Sequence, residues 1–182
     1  MKYKILYTCL LFVILQTQCK KDSLDAELAK LPPITQTGAN TFGCLVNGKA
    51  VTPNSNCLGC PPLYAVYDPS RNGQFAIYCN YDNGNKRVLI GVDSIFTYKK
   101  TIINDSLNKN IRVALINQNV VDSCKVTGYL LTVGTFTSVK GELIFERIDV
   151  PNGIFSGTFN FNIKTNGCGN YEVTNGRFDY KF

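Results

Sequence analysis

Residues 153–164 read Gly-Ile-Phe-Ser-Gly-Thr-Phe-Asn-Phe-Asn-Ile-Lys. In an extended chain Phe155, Gly157, Phe159, Phe161 and Ile163 share one side, and Ser156, Thr158, Asn160, Asn162 and Lys164 share the other. One side belongs to a core and the other to water, the pattern of an antiparallel strand packed on one face. Burying the three phenylalanines contributes about 1.5–3 kcal/mol each.

The same period of two runs outward in both directions. Towards the C-terminus, Tyr171 and Val173 are odd-numbered apolar positions, but Phe178, Tyr180 and Phe182 are even. The parity changes at Asn175-Gly176, so a β-bulge there, with Asn or Gly at positive φ, is expected to return Phe178 to the core. Towards the N-terminus, Phe42, Cys44 and Val46 alternate and lead into the hairpin signal Asn47-Gly48, with a return strand from Lys49 to Thr52. Leu63–Tyr67, then Phe75, Ile77, Cys79 and Tyr81, then Val88, Ile90 and Val92 mark further strands, and the turn Asp82-Asn83-Gly84-Asn85 joins the last two. Ile111, Val113 and Leu115 alternate, and strands are expected at 128–136, 142–150, 153–164 and 171–182, with a short one at Ile95–Tyr98. No long helical pattern appears. The fold class expected is all-β: a single antiparallel β-sandwich or barrel-like domain over residues 42–182, with a short N-terminal tether.

The chain has 182 residues, enough for one such domain. Its start reads as an address. Lys2 and Lys4 precede an apolar run from Ile5 to Leu15, too short to span a bilayer and suited to a signal peptide over residues 1–18. Cys19 follows the run directly, before Lys20-Lys21-Asp22-Ser23. That arrangement resembles a bacterial lipoprotein signal, in which Cys19 becomes the first mature residue and carries the lipid. Gln18 departs from the small residue usual before such a cysteine. Several acyl chains anchor stably because each buried methylene adds about 0.8 kcal/mol. Residues 19–41 then read as lipid anchor and tether: two turns of helix from Ser23 to Lys30 ended by Leu31-Pro32-Pro33, and an extended lead-in from Thr35 to Thr41. The partner implied is a membrane, reached through the lipid, and the location a bacterial outer membrane, facing the periplasm or the surface.

Loss of residues 1–18 removes two lysines and no acids, leaving 17 basic against 13 acidic side chains, a net +4. No basic run exceeds two residues, so no nucleic-acid partner is expected.

Eight cysteines are present. Cys9 leaves with the signal and Cys19 takes lipid. Cys44, Cys57, Cys60, Cys79, Cys124 and Cys168 remain, an even set in an exported chain, and are disulfide candidates. Cys57-Leu58-Gly59-Cys60 also has the spacing of a redox pair, but Pro61-Pro62 and a strand follow it rather than the helix that would depress a thiol pKa. A four-cysteine zinc site lacks its second Cys-x2-Cys half, so no metal is assigned.

The stretches Asn40-Thr41-Phe42-Gly43-Cys44-Leu45-Val46-Asn47-Gly48-Lys49, Ser156-Gly157-Thr158-Phe159 and Gly176-Arg177-Phe178-Asp179 resemble a family of Bacteroidetes-type lipoproteins of unknown function. The resemblance covers most of residues 40–182 and rests on strand and turn motifs, so it implies a fold and no chemistry. It also implies a host that O-glycosylates exported proteins at Asp-Ser/Thr-apolar sites, which makes Ser23, Ser94 and Ser106 candidates. Asp and Ser are common in turns, so ordinary turn chemistry explains the same triplets.

There is no histidine. That removes Ser-His and Cys-His nucleophile pairs and the usual catalytic zinc sets. No phosphate loop or dinucleotide fingerprint appears, so no cofactor is expected. Glu142 and Glu146 share a strand face but stand about 14 Å apart along the backbone, too far for a typical glycosidase pair. They read as surface acids, and no catalytic residue is assigned. Tyr64, Tyr67, Tyr78, Tyr98 and Tyr129 offer rings for a carbohydrate or peptide partner, and core packing explains them as well. The reading favours a non-enzymatic binding or structural accessory module. A lipocalin-like small-ligand binder and a small carboxylate-based hydrolase are the alternatives.

Overall fold

The structure, a computed structural model, describes residues 23–95, 100–104, 111–117, 136–165 and 169–182. Among the described residues ten strands form two antiparallel sheets. The strands are β1 (Thr41–Val46), β2 (Lys49–Val51), β3 (Leu63–Asp68), β4 (Gln74–Tyr81), β5 (Lys86–Val92), β6 (Lys100–Asn104), β7 (Ile111–Asn117), β8 (Phe136–Asp149), β9 (Ile154–Thr165) and β10 (Asn170–Lys181). One sheet has six strands in the order β2-β1-β10-β9-β8-β6, and the other four in the order β3-β4-β5-β7. The sheets stay separate and open, so of the two all-β architectures expected this is the layered one, not a closed barrel.

The inward side chains follow the alternation. Phe155, Phe159, Phe161 and Ile163 of β9 are buried, as are Phe75, Ile77 and Cys79 of β4 and Val88, Ile90 and Val92 of β5. Phe75 sits among rings from the opposite sheet, 5.3 Å from Phe155, 5.7 Å from Phe178 and 5.5 Å from Phe145. Interleaved aromatic rings from the two sheets thus pack against one another between the layers.

The bulge expected in β10 is present. Val173 pairs with Phe161 and Gly176 with Phe159, three steps on β10 against two on β9. On the other side Gly43 pairs with Arg177 and Leu45 with Thr174, so the extra residue is extra to both neighbours. Asn175 takes the left-handed conformation, φ 53°. Val173 and Phe178 both end in the core. The hairpin turn also matches: Asn47 and Gly48 have φ of 48° and 75°, which suits a two-residue turn between twisted strands.

Other elements differ from expectation. Ile95 lies outside any strand but is buried, its N–H donating to the Gly73 carbonyl at 3.0 Å, and the rest of that expected strand lies outside the described residues. β6 was not legible, because Ile102 and Ile103 are adjacent and break the alternation. β8 begins at Phe136 instead of Glu142. It carries its own bulge, since Phe145 pairs with Gly157 and Arg147 with Ser156. The strand expected at 128–136 lies outside the described residues but for Phe136.

Residues 23–28 are helical and the chain leaves the helix before Leu31, as the two prolines require. The segment that follows is not a free lead-in. It lies as a strap across the outer face of the six-stranded sheet.

Candidate functional site

The strap is held by one carboxylate. Asp179 follows Phe178 on β10, so its side chain points away from the core, yet it is only 1% exposed because the strap covers it. Its Oδ2 accepts from the Thr35 hydroxyl at 2.7 Å, the Thr37 amide at 2.9 Å and the Ala39 amide at 3.1 Å, and its Oδ1 accepts from the Gly38 amide at 2.8 Å. Burial alone would raise its pKa, but the bonds from Thr35, Ala39, Thr37 and Gly38 together outweigh that and hold the carboxyl below its ordinary value. Two arginines fasten the strap further. Arg177 Nη1 donates to the Pro32 carbonyl at 3.2 Å and Arg147 Nη1 to the Gln36 carbonyl at 2.6 Å. Pro32 rests where a side chain at Gly43 would be, and a Cβ there would lie 2.5 Å from Pro32 Cδ. Leu31 and Leu45 are buried beneath.

The helix is fastened too. Glu27 Oε2 accepts from the Ala50 amide at 2.8 Å, and Oε1 lies 2.8 Å from Lys30 Nζ and 3.7 Å from Lys49 Nζ. The Lys30 bond first, then the Ala50 amide, lowers the Glu27 carboxyl to about 2.

Beside the strap, on the same outer face, lies an open cleft of about 260 Å³. Glu142, Asn160 and Arg177 give it polar walls, Thr158 and the bulge residues Asn175 and Gly176 line its base, and Ile34 of the strap forms its rim. Asn160 Nδ2 donates to Glu142 Oε1 at 3.1 Å. Arg177 is oriented by its bond to Pro32 and by Nε donating to the Asn175 carbonyl at 3.2 Å. The arrangement offers an acid, an amide, a hydroxyl and a guanidinium along one wall, which suits recognition of a polar group. Acid–base hydrolysis needs two carboxylates, and Glu142 is the single acid lining this cleft. Among the described residues no group of three or more His, Cys, Asp or Glu is placed to hold a metal.

The residues singled out from sequence fall apart in space. Cys57 and Cys60 form a disulfide in the loop before β3. Cys44 and Cys79 do not join a framework in the structure and stand as thiols, both fully buried. Burial pushes the Cys44 thiol up to about 12. It raises Cys79 further, with Cys44 adding to the effect. Cys19, Cys124, Cys168 and Ser106 lie outside the described residues. Ser23 is exposed at the start of the helix. Ser94 is 8% exposed, so the folded chain does not present its hydroxyl for glycosylation. Tyr64 and Tyr78 stack at 4.4 Å on the outer face of the four-stranded sheet, with the Arg87 guanidinium 5.8 Å from both rings. Tyr67 points inward, 5.0 Å from Phe155, and is a core residue. Tyr98 and Tyr129 lie outside the described residues.

Sequence reasoning missed Asp179, Arg177 and Asn160. A signal was present: Gly43, Arg177 and Asp179 all belong to the stretches that carried the family resemblance, and all three meet the strap. Comparison with family models, with curated proteins and with solved structures gives no match.

Proposed function

We propose that the chain is an exported lipoprotein of a bacterial outer membrane, anchored through Cys19, whose β domain serves as a non-enzymatic binding or structural accessory module facing the periplasm or the surface. The observation that carries the second part is the polar cleft beside the strap. It lies on the outer face of the six-stranded sheet, whereas Phe75, Phe145, Phe155 and Phe178 pack against one another between the sheets. A lipocalin-like binder keeps its ligand inside a closed barrel, and these sheets are open. The first part rests on the basic start, the short apolar run and Cys19.

Metabolic labelling with a clickable fatty acid, followed by fractionation, tests the anchor. The parent is expected in the detergent-soluble membrane fraction with label, and Cys19→Ala unlabelled and released. A cytosolic protein that retains Met1 and takes no label overturns the proposal.

A further inference from the structure

Cys44 lies on β1 and Cys79 on β4, and both side chains point inward from opposite sheets into one apolar cluster. Both are 0% exposed. The strands occupy the same part of the core. Phe75 of β4 packs 5.7 Å from Phe178 of β10, and Phe178 pairs with Phe42, two residues before Cys44. Cys44 pairs with Val51 of β2, and three residues on, the Asn54 amide donates at 2.9 Å to the carbonyl of Asn80, the residue after Cys79.

We propose that Cys44 and Cys79 form a disulfide that joins the two sheets when the chain folds in the presence of an external disulfide. Its occurrence in the cell rests on the export proposed above. The step is thiol–disulfide exchange. The thiolate of one cysteine attacks oxidised glutathione or a disulfide oxidoreductase and releases one thiol. The second cysteine then attacks the mixed disulfide and releases the other. Two protein thiols are oxidised, one external disulfide is reduced, and the two protons leave on its thiols. In the folded state both sulfurs are sealed from solvent, so the exchange belongs to the folding chain, and the finished bridge resists reductants until the protein unfolds. A bridge requires the two Cα atoms within about 7 Å. With Cys57–Cys60 closed, Cys124 and Cys168 are left as the remaining pair.

The sequence makes the test direct. Trypsin places Cys44 on residues 31–49, Cys79 on 72–86, Cys124 on 113–125 and Cys168 on 165–177, with Cys57 and Cys60 together on 50–71. The full chain is denatured, reduced, refolded in a glutathione redox buffer, alkylated and digested without reductant. A linked 31–49/72–86 pair is the expected product, and the Cys44→Ala variant should yield Cys79 as an alkylated thiol with Cys57–Cys60 intact. Refolded protein in which Cys44 and Cys79 are alkylated only after unfolding, or are linked to Cys124 or Cys168, overturns the proposal. The same map on protein extracted from its host separates the two ideas. A pair that forms on refolding but is reduced in the cell upholds the bridge and removes the export reading.

Discussion

Replacing Asp179 with alanine should free the strap. The mutation removes the acceptor for three backbone amides, those of Thr37, Gly38 and Ala39, and for the Thr35 hydroxyl. Hydrogen bonds to a charged acceptor contribute about 1.5–3 kcal/mol each, so the four would cost roughly 6–12 kcal/mol if the strap stayed in place with its donors unpaired. It need not stay. Peeling the strap away returns those donors to water, and the cost becomes whatever docking the strap had contributed. That includes the burial of Leu31 and Leu45, about 1.5–3 kcal/mol each. The smaller cost wins, so Asp179→Ala should lose about 3–6 kcal/mol, a large part of the 5–15 kcal/mol typical of a domain. Urea unfolding measures the loss, and amide hydrogen exchange locates it. Protection should disappear at Thr37, Gly38 and Ala39 while the β9 amides keep theirs until global unfolding. A variant within about 1 kcal/mol of the parent, with the strap amides still protected, would show that this carboxylate does not hold the strap.

Acid should act through the same groups. Asp179 and Glu27 both have lowered folded pKa values, so their contributions are complete above about pH 5, begin to fade as pH falls through the ordinary carboxylate range, and are gone below the folded values, about 2 for Glu27. Circular dichroism should place acid unfolding below about pH 4, with a shallower slope for Asp179→Asn. At the bulge, a Cβ on Gly176 would land on the Phe159 ring and carbonyl, so Gly176→Ala should cost about 2–4 kcal/mol in urea unfolding. Asn175→Gly should change stability by less than about 0.5 kcal/mol, whereas Asn175→Val should cost about 1–2, because only the latter strains at φ 53°. The Tyr67 hydroxyl is buried without a hydrogen-bond partner, so Tyr67→Phe should leave thermal stability unchanged or raise it by about 1 kcal/mol.

What could be read beforehand and what could not follow from distance along the chain. The β9 alternation and the parity break at Asn175-Gly176 are local, and both the strand and its bulge were legible. The strap was not. Thr35 to Thr41 is small and polar, and nothing in it signals burial. Its partner Asp179 is 141 residues away from Gly38, and only the pairing of β1 with β10 brings the two together. Asp179 itself reads as an outward polar residue between Phe178 and Tyr180, as its position dictates, and what covers that outward face lies outside the strand. The cleft has the same character: Glu142, Asn160 and Arg177 come from three strands, and their adjacency is a property of register. The cysteines were legible as a set but not as pairs, since spacing alone leaves fifteen full pairings of six open.

The docked strap changes what an anchor at Cys19 would do. Read as a tether, residues 19–41 could extend about 75 Å and leave the domain free to wander from the membrane. With the helix fixed through Glu27 and Ala50, and residues 35–39 fixed through Asp179, the slack shrinks to the four peptide units between Cys19 and Ser23, about 14 Å at most. A lipid on Cys19, as proposed, would then hold the β1–β2 edge close to the headgroups, where Lys30 and Lys49 already cluster about Glu27. Asp179 and Glu27 act in series here, and the Glu27–Ala50 bond alone already limits the slack on the Cys19 side. Both contacts would have to be lost before the same covalent chain could act as a tether several times longer.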